Sequence, residues 1–309
     1  MSCTLILRDT SGKEISYSKC YSFVYRKEVY TPYTYFSGVF YTSRRNMENV
    51  CEVKVKLYSN VVHHGLVDNF EIEWKGGGRF LKITSRGFTS LLCQNEIEPG
   101  LKPNMSISSL AEGFVSIPYV TYEANSQSVN YIYVKDGSSL WDGICNLSYK
   151  LTGNHPYIHG TNCIRMTPQT VKTKNISTSD LLASGVCYDY TKMISHIHMQ
   201  DADGNYNEYN STNSIAASRN IVRHKQMPMD MQYLNDPDNG LAYKLSYSNR
   251  GFYAYWGEMS GYSGEELYDK LTIAGFITNK SISFIEVRGG SGKIRTKYGV
   301  YYDGFNNVT

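Results

Sequence analysis

Apolar and polar residues alternate through much of the first third of the chain. Cys51, Val53, Val55 and Leu57 fall on one side and Glu52, Lys54 and Lys56 on the other, the period of a half-buried strand. Phe70, Ile72 and Trp74 repeat the pattern against Asn69, Glu71 and Glu73. Gly76-Gly77-Gly78 then offers the positive-φ positions of a tight hairpin, and Leu81 and Ile83 take up the returning strand. Segments 3–9, 14–17 and 36–42 read as earlier strands. Residues 79–99 close the hairpin, turn at Arg86-Gly87, start a short apolar run and end in an acidic segment stopped by Pro99; none of them has the pattern of a catalytic centre. Five or six short strands suffice for a small antiparallel barrel, predicted over residues 1–97.

Between 98 and 166 the period changes. Ser139-Leu140-Trp141-Asp142 is a capping-box-like start, with Asp142 three residues beyond Ser139 and near the positive end of the helix. Leu140, Trp141, Ile144, Leu147 and Leu151 then mark one helical face, and Gly153 fits the C-terminal cap. Residues 107–115 predict a second, shorter helix. Tyr131, Tyr133 and the stretch from His155 to Met166 read as strands, the last two forming a hairpin around His159-Gly160-Thr161-Asn162. This is a compact α/β insert. From 167 to 309 the pattern returns to β: Leu241, Tyr243, Leu245 and Tyr247 alternate strictly, and 282–287 forms another strand. Residues 201–210 and 234–240 are turns by composition, and Ser263-Gly264-Glu265-Glu266 predicts a cap for a one- or two-turn helix through Leu271. No internal repeat is visible.

Composition narrows the class. A chain of 309 residues is too long for one small core and fits two or three modules. Hydrophobic content of 41% and a net charge of +3 are those of a soluble globular protein. No apolar run approaches the ~20 residues of a membrane span, so no membrane insertion is expected. The first residues lack the basic start and cleavage site of a secretion signal, which makes a cytoplasm the default place of synthesis. Seven cysteines, scattered and without a C-x-x-C pair, read as buried thiols. There is no basic stripe of the kind that binds nucleic acid. The outlying figure is 28 tyrosines, which suit contact surfaces and half-exposed strand faces alike.

Candidate chemistry is sparse. His196-x-His198 on a strand places two imidazoles on one face with Asp201 and Asp203 nearby, a spacing that leaves a metal site open but constrains ligands loosely. Asp201-x-Asp203-Gly204-Asn205 departs from the calcium loop of an EF-hand, whose Gly stands sixth and Glu twelfth, and reads as a solvated turn. His63 and His64 with Asp68 and Glu71 have the residue types of an acid–base cluster, and Glu96 and Glu98 those of a glycosidase pair; surface carboxylates are the simpler reading. Gly289-Gly290-Ser291-Gly292-Lys293 lacks the spacing of a phosphate loop and reads as a hairpin loop. Trp141 belongs to a buried helix face. Arg86 and Arg250, each followed by Gly, stand at turns, where either can meet a carboxylate across a subunit boundary or locally.

Four segments carry a resemblance. They are Leu81 to Pro99, with Ile83-Thr84-Ser85-Arg86-Gly87 and Leu91-Leu92-Cys93-Gln94-Asn95-Glu96; Gly137-Ser138-Ser139-Leu140-Trp141-Asp142-Gly143-Ile144; His155-Pro156-Tyr157-Ile158 followed by Ile164-Arg165; and Tyr247-Ser248-Asn249-Arg250-Gly251. With them the chain resembles the baseplate hub proteins of tailed bacteriophages and phage-tail-like bacteriocins, the group of late-control D-type proteins and the hub half of type VI spike proteins. The resemblance implies a homotrimeric ring in which each protomer gives two tube-like β-barrels, so that six barrels face a sixfold tail tube. Its implied partners are the tail tube or a tube-initiator protein, a central spike and baseplate wedge proteins, with an axial channel that passes DNA or tape-measure protein without specific binding. The particle is a virion or tail-like particle assembled in the bacterial cytoplasm. Contractile and non-contractile tails, phage and bacteriocin, all fit. The end from Tyr301 to Thr309 is too short for a spike β-helix or a lysozyme domain, so either would sit on another chain.

The resulting expectation is a mainly β protein with an α/β insert: a first barrel over 1–97, the insert over 98–166 and a second barrel with loops over 167–309. It is expected to be non-enzymatic, with no catalytic residue, metal or cofactor, and with Arg86, Trp141, Asp142, Tyr157 and Arg250 as structural or interface residues. The rivals are a tail-associated peptidoglycan hydrolase, suggested by aromatics and carboxylates, and a glycan-binding module, suggested by exposed tyrosines.

Overall fold

Alternation becomes strand where two neighbours can bury the same face. The computed structural model describes residues 3–303 apart from 46, 48, 229, 230, 234, 235 and 291. Its first part forms β1 (Cys3–Asp9), β2 (Glu14–Tyr17), β3 (Cys20–Glu28), β4 (Tyr35–Tyr41), β5 (Val50–Leu57), β6 (Asn60–Lys75) and β7 (Gly78–Gly87). Antiparallel pairing sets Leu5 opposite Val55 and Leu7 opposite Val53, and all four are buried. Cys51 leaves this pattern. A register shift opposite Arg8 and Asp9 makes it the extra residue of a bulge, so Cys51 turns to solvent and Glu52 is buried instead. Lys75 pairs with Gly78, leaving Gly76 (φ 59°) and Gly77 (φ 76°) as the two residues of the hairpin turn. Arg86 pairs within the ladder with Tyr35 and Leu66, so β7 continues through the expected turn and leaves the sheet only after Gly87.

β3 carried no sequence signal because one of its inward positions is a lysine. Lys27 is buried, donates to Gly160 O at 2.7 Å and pairs with Glu266; a buried ammonium is tolerable only with such partners.

The insert begins with a short 3-10 helix, Phe88–Cys93, followed by β8 (Gly100–Ser106), α1 (Ile107–Gly113), β9 (Thr121–Tyr122), β10 (Ser128–Val134), α2 (Leu140–Thr152), β11 (Tyr157–His159) and β12 (Cys163–Arg165). α2 starts and stops where the sequence predicts. The Asp142 N–H donates to Ser139 Oγ at 3.2 Å, the Ser139 N–H donates to Asp142 Oδ2 at 2.8 Å, and Gly153 closes the helix at φ 69°. Its apolar face joins Ile107, Leu110, Ile132, Ile158 and Ile164 in a core of the insert's own. β11 and β12 form the anticipated hairpin.

The remainder forms β13 (Thr173–Ile176), β14 (Leu181–Tyr188), β15 (His196–Met199), β16 (Tyr209–Thr212), α3 (Ser214–Ala217), β17 (His224–Met227), α4 (Pro237–Ser248), β18 (Tyr253–Ser260), β19 (Lys270–Ile273), β20 (Ile277–Ser281), β21 (Phe284–Gly290) and β22 (Lys293–Asp303). Three expectations fail here. The alternation of Leu241, Tyr243, Leu245 and Tyr247 belongs to a helix, α4, opened by Pro237 in its first turn. Leu241 and Leu245, four apart, pack on Ile197, Met199 and Met227, while Tyr243 and Tyr247 face other tyrosines. Two apolar faces on one helix mimic the period of a strand. Of the turn expected at 234–240, residues 236–240 are the cap and first turn of α4, and 234 and 235 lie outside the described residues. The helix expected from Ser263 is absent because its acids are engaged elsewhere. Glu265 accepts from Lys174 at 2.8 Å and from Tyr298 OH at 2.6 Å, and Asp269 Oδ1 caps the N–H groups of Val171 and Lys172.

Strands from both ends of the chain merge in one eleven-stranded sheet, ordered β14-β18-β22-β21-β3-β4-β7-β6-β5-β1-β2. β3 and β21 form the antiparallel seam, with Tyr25 opposite Val287, and Arg26 and Glu286 paired across it. Leu5, Tyr25, Phe36, Val55, Leu81, Ile285, Val287 and Tyr298 share one core beneath the seam. The described residues form no closed barrel, and the two ends of the sheet are β14 and β2. Four smaller sheets complete the protein: β10-β8 and β11-β12-β9 in the insert, and β13-β19-β20 and β16-β15-β17 beyond it. No helix among the described residues is long and apolar enough to cross a membrane. The cysteines are not uniformly buried: Cys3 is, whereas Cys51, Cys93 and Cys187 are exposed, each on a bulge, helix end or sheet edge.

Candidate functional site

The insert, the large sheet and α4 meet around Arg250. α4 ends at Ser248, and Gly251, at φ 72°, lets the chain reverse immediately into β18. Arg250 follows Tyr247 by one helical turn, so its guanidinium folds back over that ring, 3.7 Å from the centroid, and Nη1 donates to Tyr247 O at 2.6 Å. Tyr30, from the loop after β3, lies 5.5 Å away on the guanidinium and stacks on Tyr301 of β22. The Tyr301 hydroxyl donates to Glu28 Oε1 at 2.7 Å. His155 closes the group from the insert, 4.7 Å from the Tyr247 ring, 5.4 Å from Tyr30 and 6.1 Å from Trp141 of α2. Beside this network lies a cavity of about 260 Å³, lined by Glu28, Asp189, Lys192, Arg250 and Tyr301 among others.

Burial and the arginine charge set the protonation states. Burial, helped by the positive Arg250, lowers the His155 pKa to about 3, so the imidazole is neutral. Burial raises Tyr247 to about 12 against the pull of Arg250, and burial with the nearby Glu28 charge raises Tyr301 well above its ordinary value. Cys145 Sγ lies 3.9 Å from His155 Nδ1. This is not a thiolate–imidazolium couple, because burial drives the thiol up and the imidazole down, the reverse of what activation needs.

The five residues singled out by sequence fall in different places. Trp141 and Arg250 come together here through His155 and Tyr247. Asp142 is the acidic member of the α2 capping box. Tyr157 is fully buried against Tyr268 at 4.6 Å. Arg86 grips Asp68 with Nε and Nη2, at 2.9 and 2.8 Å, so its charge is met within the chain. Sequence reasoning missed Glu28, Tyr30, Lys192 and Tyr301; the one local signal was the i, i+3 spacing of Tyr247, in the last turn of α4, and Arg250 just beyond it.

The other candidate clusters separate. His63 is buried between Thr34 Oγ1 at 2.8 Å and Ser85 Oγ at 2.7 Å, and His64 Nε2 meets Glu52 at 2.7 Å, while Asp68 and Glu71 turn to Arg86 and Lys82. Glu98 pairs with Lys102 at the surface. His196 and His198 do share a face, and His224 of β17 joins them, with its Nδ1 3.1 Å from His198 Nε2. Asp201 instead accepts the N–H groups of Asp203 and Asn205 inside its own turn. No group of three or more metal-ligating side chains able to hold an ion occurs among the described residues. Gly289 and Gly290 end β21 and Lys293 starts β22, so the glycine-rich loop joins a hairpin; Ser291 lies outside the described residues.

Neither a family model nor a curated protein matches the sequence. Solved structures do. A tail protein from Neisseria meningitidis superimposes with a TM-score of 0.72 at 13% identity, covering 99% of this chain and 98% of its own. A 43 kDa tail protein of prophage MuSo2 from Shewanella oneidensis gives 0.70 at 13% identity, over 96% and 98%. This is the fold of phage tail proteins. A type VI secretion component from E. coli, described as structurally similar to bacteriophage T4 tail proteins, matches at 0.55 and 9% identity, over 93% of this chain and 74% of its own. The tail-protein fold thus spans almost the whole chain, the Arg250 junction included.

Proposed function

We propose that this protein is a structural component of a tail baseplate: a hub in which three copies form a ring that matches a sixfold tail tube to a threefold spike around an axial channel. The observation that carries this reading is the near end-to-end match to two phage tail proteins. On this reading the eleven-stranded sheet divides into two tube-like units per protomer. One is β1–β7, within residues 1–97; the other is built from β14, β18, β21 and β22 with the β13-β19-β20 sheet, within 167–309. Residues 98–166 stand between them as the insert. The unpaired outer sides of β2 and β14 give each protomer two sheet edges to satisfy, and neighbouring copies or the tube satisfy them. β14 presents Leu182, Val186 and Tyr188 to solvent and carries no charge along its length, as suits a strand destined for contact.

On this reading the partners are two further copies, the tail tube or its initiator, a central spike and baseplate wedges. The place is a virion or tail-like particle assembled in a bacterial cytoplasm, and the protein catalyses nothing. Mass measurement on the purified protein tests it: a trimer or larger ring, with a threefold outline and central hole in particle images, is the expected result. A monomer that clears peptidoglycan would favour the hydrolase reading instead, and a monomer that binds glycans the third. Contacts in the ring should each bury well over ~1,000 Å².

A further inference from the structure

We propose that the cavity beside Arg250 is a docking socket for one carboxylate side chain, Asp or Glu, presented by a protein partner in the assembly; this rests on the baseplate reading above. Arg86 and Arg250, each followed by Gly, differ in how their charge is met. Arg86 is neutralised by Asp68 and needs nothing more. Arg250 makes no ion pair among the described residues, although it is partly buried; it is held instead by the Tyr247 ring, the Tyr247 carbonyl and Tyr30. A guanidinium fixed by ring stacking and one carbonyl keeps the rest of its planar fork of donors for an acceptor, the geometry that matches a carboxylate. Lys192 lines the same cavity and likewise forms no ion pair among the described residues.

The cavity also says what kind of anion fits. Its two carboxylates have work of their own. Glu28 takes the Tyr301 hydroxyl, and Asp189 Oδ1 accepts from the N–H and the hydroxyl of Thr191 at 2.9 and 2.5 Å. They still leave the lining formally neutral, with two cations and two anions. A singly charged carboxylate meets less repulsion from Glu28 and Asp189 than a doubly charged phosphate does, while Arg250 and Lys192 of the same lining attract it. A volume of about 260 Å³ admits a side chain and not a folded segment. The occupant is therefore a projecting acidic residue of a partner chain, which would fix the junction of α4, β3 and β22 against that partner.

The test uses the full chain and three blocked pentapeptides, Gly-Gly-X-Gly-Gly with X as Glu, Gln or phosphoserine, titrated while the arginine Nε–Hε resonances are followed by NMR. The Glu peptide should shift the Arg250 signal saturably and leave Arg86 unmoved, and the Gln and phosphoserine peptides should bind at least about tenfold more weakly. Arg250→Lys, which keeps the charge but loses the fork, should weaken the Glu peptide severalfold, with Arg86→Lys as the control. Equal binding of Glu and Gln peptides, tighter binding of phosphoserine, or a Glu peptide response unchanged in Arg250→Lys would overturn the socket. Ring formation by the wild-type protein is measured separately, so loss of the socket and loss of the hub reading are distinguishable.

Discussion

α2 and α4 are of nearly equal length, yet one is plain in the sequence and the other is disguised. α2 buries a single stripe and is announced by a reciprocal capping box and a left-handed glycine stop. α4 is an adapter. Leu241 and Leu245 serve the small β16-β15-β17 sheet, Tyr243 and Tyr247 serve the tyrosine cluster against the insert, and its N-cap residue Asp236 makes no side-chain capping bond. A helix that packs on one core shows its period; a helix wedged between two partners shows the sum of two periods, which here reads as a strand.

The sharpest way to break this contrast is to empty the two cores. Leu147→Ala, in the insert core, should cost about 3–5 kcal/mol, and Leu245→Ala, in the smaller cluster, about 2–3 kcal/mol; urea unfolding measures both, and a larger loss in α4 would reverse the assignment of weight. Acid acts on the contact between the helices. His155 touches both Trp141 and Tyr247, and its pKa is held near 3 against an ordinary 6.5. Above pH 6.5 neither folded nor unfolded protein binds the proton. Between 6.5 and about 3 only the unfolded chain does, so stability falls with falling pH by about 1.4 kcal/mol per unit. From pH 7 to 5 that amounts to about 2 kcal/mol. His63, also lowered to about 3 by burial, has the same sign and adds a similar slope, so His155→Phe should remove about half of the combined dependence. A slope identical to wild type would mean that the imidazole is not held neutral in the fold.

Smaller effects test the ends and faces of the helices. Ser139→Ala should cost about 1 kcal/mol, whereas Asp236→Ala should stay within about 0.5 kcal/mol, since only the former removes a cap bond. Finally, Tyr243→Ala and Leu245→Ala should add to within about 0.5 kcal/mol in the double variant because they serve separate clusters. Strong coupling between them would restore a shared face, as the strand reading required.

Much of the architecture was legible because it rests on neighbours in sequence. The Gly76-Gly77 turn, the alternation of β5, the α2 caps and the β11–β12 hairpin each need only a few consecutive residues to be specified. β3 was not legible, since an inward Lys27 looks wrong for a strand until Glu266 and Gly160 arrive from distant parts of the chain. The helix read at Ser263 failed for the same reason, its acids having been taken by Lys174 and Tyr298. At the candidate site, Arg250 and Trp141 were named from sequence, but Glu28, Tyr30, His155 and Tyr301 reach them from other segments.

By itself the sequence determined the local menu: which segments alternate, where turns reverse, where one helix begins and ends, and that no catalytic motif is present. Only the tertiary structure decided that strands from both ends form a single sheet, that Arg86 is paired while Arg250 has no ion pair among the described residues, and that α4 is a helix. Short-range sterics and hydrogen bonds act between residues a few positions apart and leave a readable period. Burial of a charge or of a second helical face depends on groups far away in the chain, and no local pattern records them.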